Sequence, residues 1–271
     1  MPTPFTFTSP DSYVLNCSTL LTELPVMERP AAARAAGFTQ VEFWWPFDGQ
    51  PAPSSGDVDQ FVAALDEAGV ALRGLNFWAG DMAGGDRGMV SIESARSDFA
   101  ANVDLAVSIG ERTGCTAFNA LYGLRQSSES AEVQDQVAVE NLRLAAEKAA
   151  AVGGTVLVEP VSGADGYPLT TAADALAVVR RVKEQGVDNI GLLADFFHLH
   201  VNGDDVAAVI EAHAADFAHV QIADAPGRGA PGTGELPLEQ WINRTYELGY
   251  TGRIALEYKQ DKDTAFDWLS S

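Results

Sequence analysis

TVLVEP, residues 155–160, decides how the rest of the chain is read. Two valines and a leucine describe a buried strand, yet the run ends on Glu159 and then a proline. A carboxylate at the edge of an apolar core is costly unless something pairs with it. A strand that closes on an acid therefore implies a use for that acid at that end.

Short apolar runs of the same kind recur along the chain: YVLNC (13–17), QVEFW (40–44), ALRGLNF (71–77), CTAFNAL (115–121), IGLLAD (190–195), FAHVQIAD (217–224) and RIALEY (253–258). Helix-like segments separate them, with apolar residues at three-and-four spacing and, in most, a closing glycine. RPAAARAAG (29–37) has Pro30 in its first turn, and DVDQFVAALDEAG (57–69) reads as capped by Asp57 and stopped by Gly69. The others span 93–114, 130–153, 171–186, 204–216 and 237–249. Eight strands alternating with helices over about 250 residues is the arithmetic of a TIM barrel, an α/β (β/α)8 fold. The expected organisation is one barrel domain over 13–271 with an N-terminal lead-in over 1–12. An open doubly wound sheet would carry a Gly-rich phosphate turn after an early strand, and none follows YVLNC or QVEFW. The long loops WAGDMAGGDRGMVSI (78–92) and APGRGAPGTGELP (225–237) follow strands three and seven, which puts both on the catalytic face.

Composition narrows the function. With 271 residues, 46% of them hydrophobic, the chain can bury one large core. No apolar run approaches a membrane span, and the first residues lack the basic-then-apolar pattern of a secretory signal. Two cysteines, Cys17 and Cys115, exclude a disulfide scaffold and point to the cytoplasm. A net charge of −21 counts against a nucleic-acid partner. It does not count against a small anionic substrate, since one or two local arginines can hold a carboxylate.

The late strands all end in oxygen donors: Glu159 on strand five, Asp195 on six, Gln221 on seven with Asp224 after it, and Glu257 on eight. Active sites of these barrels are built at the C-terminal ends of strands. Three carboxylates crowded there repel one another. A divalent cation resolves the conflict, and an all-oxygen set favours Mg²⁺ or Mn²⁺ over zinc.

The chain resembles the hydroxypyruvate isomerase family, within the xylose-isomerase-like TIM barrels, from about residue 13 to 268. GFTQVEFWWPFD (37–48), AGDMAGGDRG (79–88), ENLRLAA (140–146), VEP (158–160), DFFH (195–198), HVQIADAPGRGAPGTGE (219–235) and LEYK (256–259) carry the resemblance, the HVQIAD stretch most specifically. It implies a divalent metal held by Glu159, Asp195, Gln221 and Glu257, with the two glutamates as the acid–base pair. It also implies self-association. Relatives of that family show His-Asn after strand three, where this chain has Leu75-Asn76. Asn76 stays a substrate-binding candidate, and the loss of the histidine bears on specificity.

Other residues complete the candidate site. His198, three residues after Asp195, suits a neutral donor to a substrate oxygen. Arg228 is the preferred clamp for a substrate carboxylate, with Arg87 and Lys259 as competitors. His219 lies one layer below Gln221 and fits a satisfied buried histidine as well as a catalytic one. Glu42, ending strand two, lines the pocket or orients a neighbour. Phe43, Trp44, Trp45, Phe77 and Trp78 wall the pocket or pack the core. The glycine-rich loops suit a lid. The expected substrate is hydroxypyruvate. A longer sugar acid such as a 2-oxo-tetronate, or a ketose, is the alternative. A DNA-repair endonuclease on the same fold is disfavoured by four histidines in all and by the acidic charge. A metal-free, non-catalytic barrel is disfavoured by the retained donor set.

Overall fold

The computed structural model describes residues 9–270, so positions 1–8 of the expected lead-in lie outside the described residues, while residues 10–12 form a 3-10 turn that leads into the first strand. The strands are β1 (Tyr13–Asn16), β2 (Gln40–Phe43), β3 (Ala71–Asn76), β4 (Ala117–Asn119), β5 (Thr155–Val158), β6 (Ile190–Asp195), β7 (Phe217–Ile222) and β8 (Ile254–Leu256). They close in sequence order into a barrel, and every neighbouring pair, β8 to β1 included, is parallel.

The helices are α1 (Arg29–Ala35), α2 (Ser55–Ala68), α3 (Arg96–Thr113), α4 (Ala131–Ala149), α5 (Ala172–Lys183), α6 (Phe196–Val201), α7 (Val206–His213) and α8 (Leu238–Glu247). Two sequence expectations change. Ser54, not Asp57, caps α2: the Ser54 hydroxyl accepts from the Asp57 N–H while the Asp57 carboxylate accepts from the Ser54 N–H. Asp57 is thus the third residue of a capping box, and an acid at either position leaves the same local signature. The second change is α6, a short helix that begins with no connecting loop at the end of β6. Its six residues are too few for a periodic pattern to emerge.

Burial explains the strand sequences. β1, β2 and β6 are buried at every position, the pattern of a sheet covered on both faces. Phe77 and Phe118 stack at 5.6 Å between barrel and helices, and Phe99 of α3 meets Phe77 edge-on at 5.7 Å. Cys17 and Cys115 are buried and unpaired. No helix among the described residues is long and apolar enough to cross a membrane.

Two register irregularities position the site. Between β2 and β3 the ladder slips after Val41, so that Glu42 faces Gly74. Between β6 and β7 it slips after Leu192, which brings Asp195 opposite Gln221. Such bulges re-aim the side chains that follow them.

Candidate active site

At the C-terminal end of the barrel a cavity of about 700 Å³ opens, with Glu159, Glu257, His198, Asn76, Trp44, Arg87, Arg228 and Lys259 on its wall. Asp195 and Gln221 are buried and not part of that wall. Glu159, Asp195, Glu257 and His198 each offer an atom to one cluster whose members lie within 4.8 Å of one another. Gln221 is the register partner of Asp195.

Each acid is held differently. Glu159 lies one residue past β5, and its Oε2 accepts from Asn119 Nδ2 at 2.6 Å. Burial, and then the charges of Glu257 and Asp195, push its carboxyl well above the ordinary range. Asp195 ends β6 and caps α6: its Oδ1 accepts from the N–H groups of Phe197 (2.8 Å) and His198 (3.2 Å). Its Oδ2 is buried with no hydrogen-bond partner among the described residues. Glu257 Oε1 accepts from Trp44 Nε1 at 2.8 Å and Asn16 Nδ2 at 3.1 Å, while Oε2 pairs with Arg228. Burial pushes the Glu257 carboxyl up to about 7 although Arg228 opposes the shift.

The surroundings of His198 fix where its ring proton sits. Its Nδ1 accepts the Ser162 N–H at 3.0 Å, so the ring proton of the neutral form sits on Nε2. That nitrogen lies 3.6 Å from Asp195 Oδ2 and 3.9 Å from Glu159 Oε1. Burial, reinforced by the charge of Arg228, pushes its pKa down to about 3, which keeps the ring neutral. A protonated Nε2 has no lone pair for a metal, so His198 does not belong to a ligand set. That role suits Gln221, whose Oε1 is buried and unpartnered among the described residues.

Arg228 takes an unexpected place. It grips Glu257 twice, through the carboxylate and, from Nε, through the carbonyl at 3.0 Å, and its Nη2 stands 3.7 Å from Asp195 Oδ2. The guanidinium also lies over the Phe197 ring at 5.4 Å. Arg87 turns toward its own loop and donates to the carbonyls of Met82 and Asp86, whereas Lys259 is exposed at the rim.

Three contributors escaped the sequence reading. Asn16 and Asn119 end β1 and β4 as Asn76 ends β3, and Asn76 pairs in register with Asn119. The strand-end rule applied to all eight strands would have found them. Asp224, just past β7, is the third. Its carboxylate accepts the N–H groups of Ala225, Gly232, Gly234 and Leu236 at 2.9–3.0 Å, which ties down the loop that carries Arg228. Gly234 is required there, since a Cβ would stand 2.2 Å from the Ala225 carbonyl oxygen. Of Phe43, Trp44, Trp45, Phe77 and Trp78, it is Trp44 that donates to a site carboxylate, that of Glu257. Phe43 and Phe77 are core, while Trp45 and Trp78 donate to the carbonyls of Gln50 and Gly49. Leu75, at the position of the missing histidine, packs in the core and off the cavity wall.

Known proteins match the chain over nearly its whole length. A Streptomyces coelicolor protein, provisionally named a hydroxypyruvate isomerase, is 49% identical over 262 residues, covering 94% of each chain. The 2-oxo-tetronate isomerase of Haemophilus influenzae is 31% identical, covering 95% of this chain and 97% of its own. The hydroxypyruvate isomerase of Escherichia coli K12 is 30% identical, with 92% and 93% covered. Among solved structures, one named AP endonuclease, family 2, from Brucella melitensis superposes with a TM-score of 0.84 at 30% identity, covering 95% of this chain and 97% of that one. Residues 30–271 fit the family description "Xylose isomerase-like TIM barrel". With the closed parallel barrel and the acids at its strand ends, these matches show that the chain belongs to the xylose isomerase-like TIM barrel family and stands among its isomerases.

Proposed function

We propose that the chain interconverts hydroxypyruvate and tartronate semialdehyde, with a divalent Mg²⁺ or Mn²⁺ ion held by Glu159, Asp195, Gln221 and Glu257. One observation carries this reading: two buried oxygens, Asp195 Oδ2 in the carboxylate cluster and Gln221 Oε1 on its register partner, have no hydrogen-bond partner among the described residues. Buried oxygens are not left bare without a reason. A set made only of oxygens suits a hard divalent ion.

The reaction moves a proton from C3 to C2. A glutamate carboxylate takes the C3 proton, an enediolate forms, and a carboxyl group returns a proton to C2. The C3 hydroxyl becomes the aldehyde oxygen as its proton passes to the former C2 carbonyl oxygen. A divalent ion bound at the site would offset the charge that develops on those two oxygens. Glu159 and Glu257 are the acid–base pair, since both stand on the cavity wall within one cluster. His198 Nε2–H donates to a substrate oxygen. Trp44 and Asn16 hold Glu257 in place, and Asn119 holds Glu159. The substrate carboxylate meets a basic wall formed by Arg228, Arg87 and Lys259. Asn76 contributes a polar group beside them.

A 2-oxo-tetronate is the second reading. It is favoured by the cavity, whose volume of about 700 Å³ is generous for a three-carbon acid, and by the relative of that name. The endonuclease reading, which the name of the Brucella melitensis structure suggests, is disfavoured by four histidines in all and a net charge of −21. A panel assay with hydroxypyruvate, 2-oxo-tetronates and free ketoses, run with Mn²⁺ or with chelator, tests the assignment. Turnover of a short hydroxy-keto acid that vanishes with chelator is the expected result. Turnover of neutral ketoses alone would defeat it. In D₂O, solvent deuterium should enter the product at carbon; its absence would replace proton transfer by a hydride shift.

The loop tip at residues 82–85 is largely exposed at the cavity mouth, and Met82 and Ala83 line it. Shortening this tip is expected to lower turnover by about tenfold or more while leaving Mn²⁺ affinity nearly unchanged. A matching loss of Mn²⁺ binding would contradict a lid role.

A further inference from the structure

Glu42 is a buried carboxylate off the cavity wall, so neither substrate nor solvent explains it. The slip in the β2–β3 ladder sets it opposite Gly74, where a Cβ would stand 3.1 Å from both Glu42 Cβ and Oε2. A side chain at that position would crowd the carboxylate. Donors from β1 and β7 converge on it instead. Asn16 Nδ2 (2.8 Å) and Gln221 Nε2 (2.7 Å) meet Oε1, and His219 Nε2 (2.7 Å) meets Oε2.

The consequence falls on Gln221. Its amide has a donating end and an accepting end of almost the same shape, and either can face a given direction. A carboxylate only accepts. Glu42 therefore takes the NH₂ end and leaves the carbonyl oxygen on the other side, buried and unpartnered among the described residues. Oxygen is the end a hard cation uses. Asn16 extends the same control, since its Nδ2 also donates to Glu257 Oε1 at 3.1 Å while its Oδ1 accepts the Ser18 N–H at 2.9 Å. We infer that Glu42 is a positioning residue that turns the Gln221 oxygen toward the metal position and, through Asn16, braces Glu257.

This inference rests on the metal reading above, and the test separates the two. Mn²⁺ binding is measured by calorimetry on chelator-stripped full-length protein. Wild type that binds no Mn²⁺ removes the metal reading itself, and this inference with it. If wild type binds, Glu42→Leu, of similar bulk but no acceptor, is expected to weaken Mn²⁺ by about 10–100-fold. Adding Gln221→Glu to Glu42→Leu supplies an oxygen at both ends of residue 221. Orientation then no longer matters, and most of the lost affinity should return. Undiminished affinity in folded Glu42→Leu, or no recovery in the double variant, overturns the inference. Should Glu42→Leu not fold, Glu42→Gln with Gln221→Glu exchanges the two groups at constant shape and charge. Retained Mn²⁺ binding in that pair supports the inference, and its loss overturns it.

Discussion

Glu257→Gln and Glu159→Gln are each expected to lower turnover by at least about 10³-fold, while shifting the stability of the metal-free protein in opposite directions. Both substitutions keep the shape of the side chain and remove its charge and one basic oxygen. At Glu257 every oxygen already faces a donor: Trp44 Nε1 and Asn16 Nδ2 on one side, Arg228 on the other. The new NH₂ must point at one of them, and a buried unsatisfied donor costs about 1–3 kcal/mol. Glu257→Gln should therefore melt earlier. Among the described residues the Glu159 carboxylate has only Asn119, on Oε2, as a hydrogen-bond partner, and burial plus the neighbouring charges of Glu257 and Asp195 work against its ionised form. Its amide can keep the Asn119 contact through oxygen and relieve the repulsion. Glu159→Gln should therefore melt later at pH 8. Thermal melts and product assays on the two variants check this. Near-native turnover in either one removes that glutamate from the acid–base pair.

The contrast shows which features were legible in the sequence. Each of the eight strands was recognisable because a barrel strand covered on both faces is a short apolar run, and the acids stood out because such runs should not end in charge. Strand six matches to the residue, and the other seven runs exceed their strands by one to four residues, since a buried residue just past a ladder looks the same as one inside it. α6 was hidden because six residues cannot express a helical period, and because Asp195 serves both as strand end and as helix cap. The role of Arg228 was hidden for another reason. Its sequence context, a glycine-rich loop, says that the residue can reach the site but not which acid it meets. That depends on Asp224 gathering four N–H groups of its own loop and on Lys259 N–H, from a separate segment, donating to the Arg228 carbonyl at 2.8 Å.

That placement leads to the second large effect, at Arg228→Met. Arg228 is the cation paired with the buried Glu257, and removing one partner of a buried pair costs about 3–5 kcal/mol. The cost should depend on pH, with a definite sign. The folded-state pKa of Glu257 is raised to about 7 even with Arg228 present, above the ordinary glutamate value of 4.5. The native state thus keeps a proton that the unfolded chain releases. The stability tied to that proton is fully present below about pH 4.5 and declines as pH rises through the folded value. With Arg228 in place the decline ends near pH 7. Without it, the folded pKa rises further and the decline continues. Arg228→Met should therefore cost little at pH 5.5 and most at pH 8, where the melting point drops by about 10 °C, at a few degrees per kcal/mol for a domain near this size. If the site takes a divalent ion, Mn²⁺ at 100 times its dissociation constant should return about 2.7 kcal/mol at pH 8, and less at pH 5.5, where protons compete for the same oxygens. Turnover should stay low despite the recovered stability, because the basic wall facing a substrate carboxylate has lost a member. An equal loss at both pH values would mean that Arg228 acts only by packing on Phe197, and that the crowded acids are neutralised some other way.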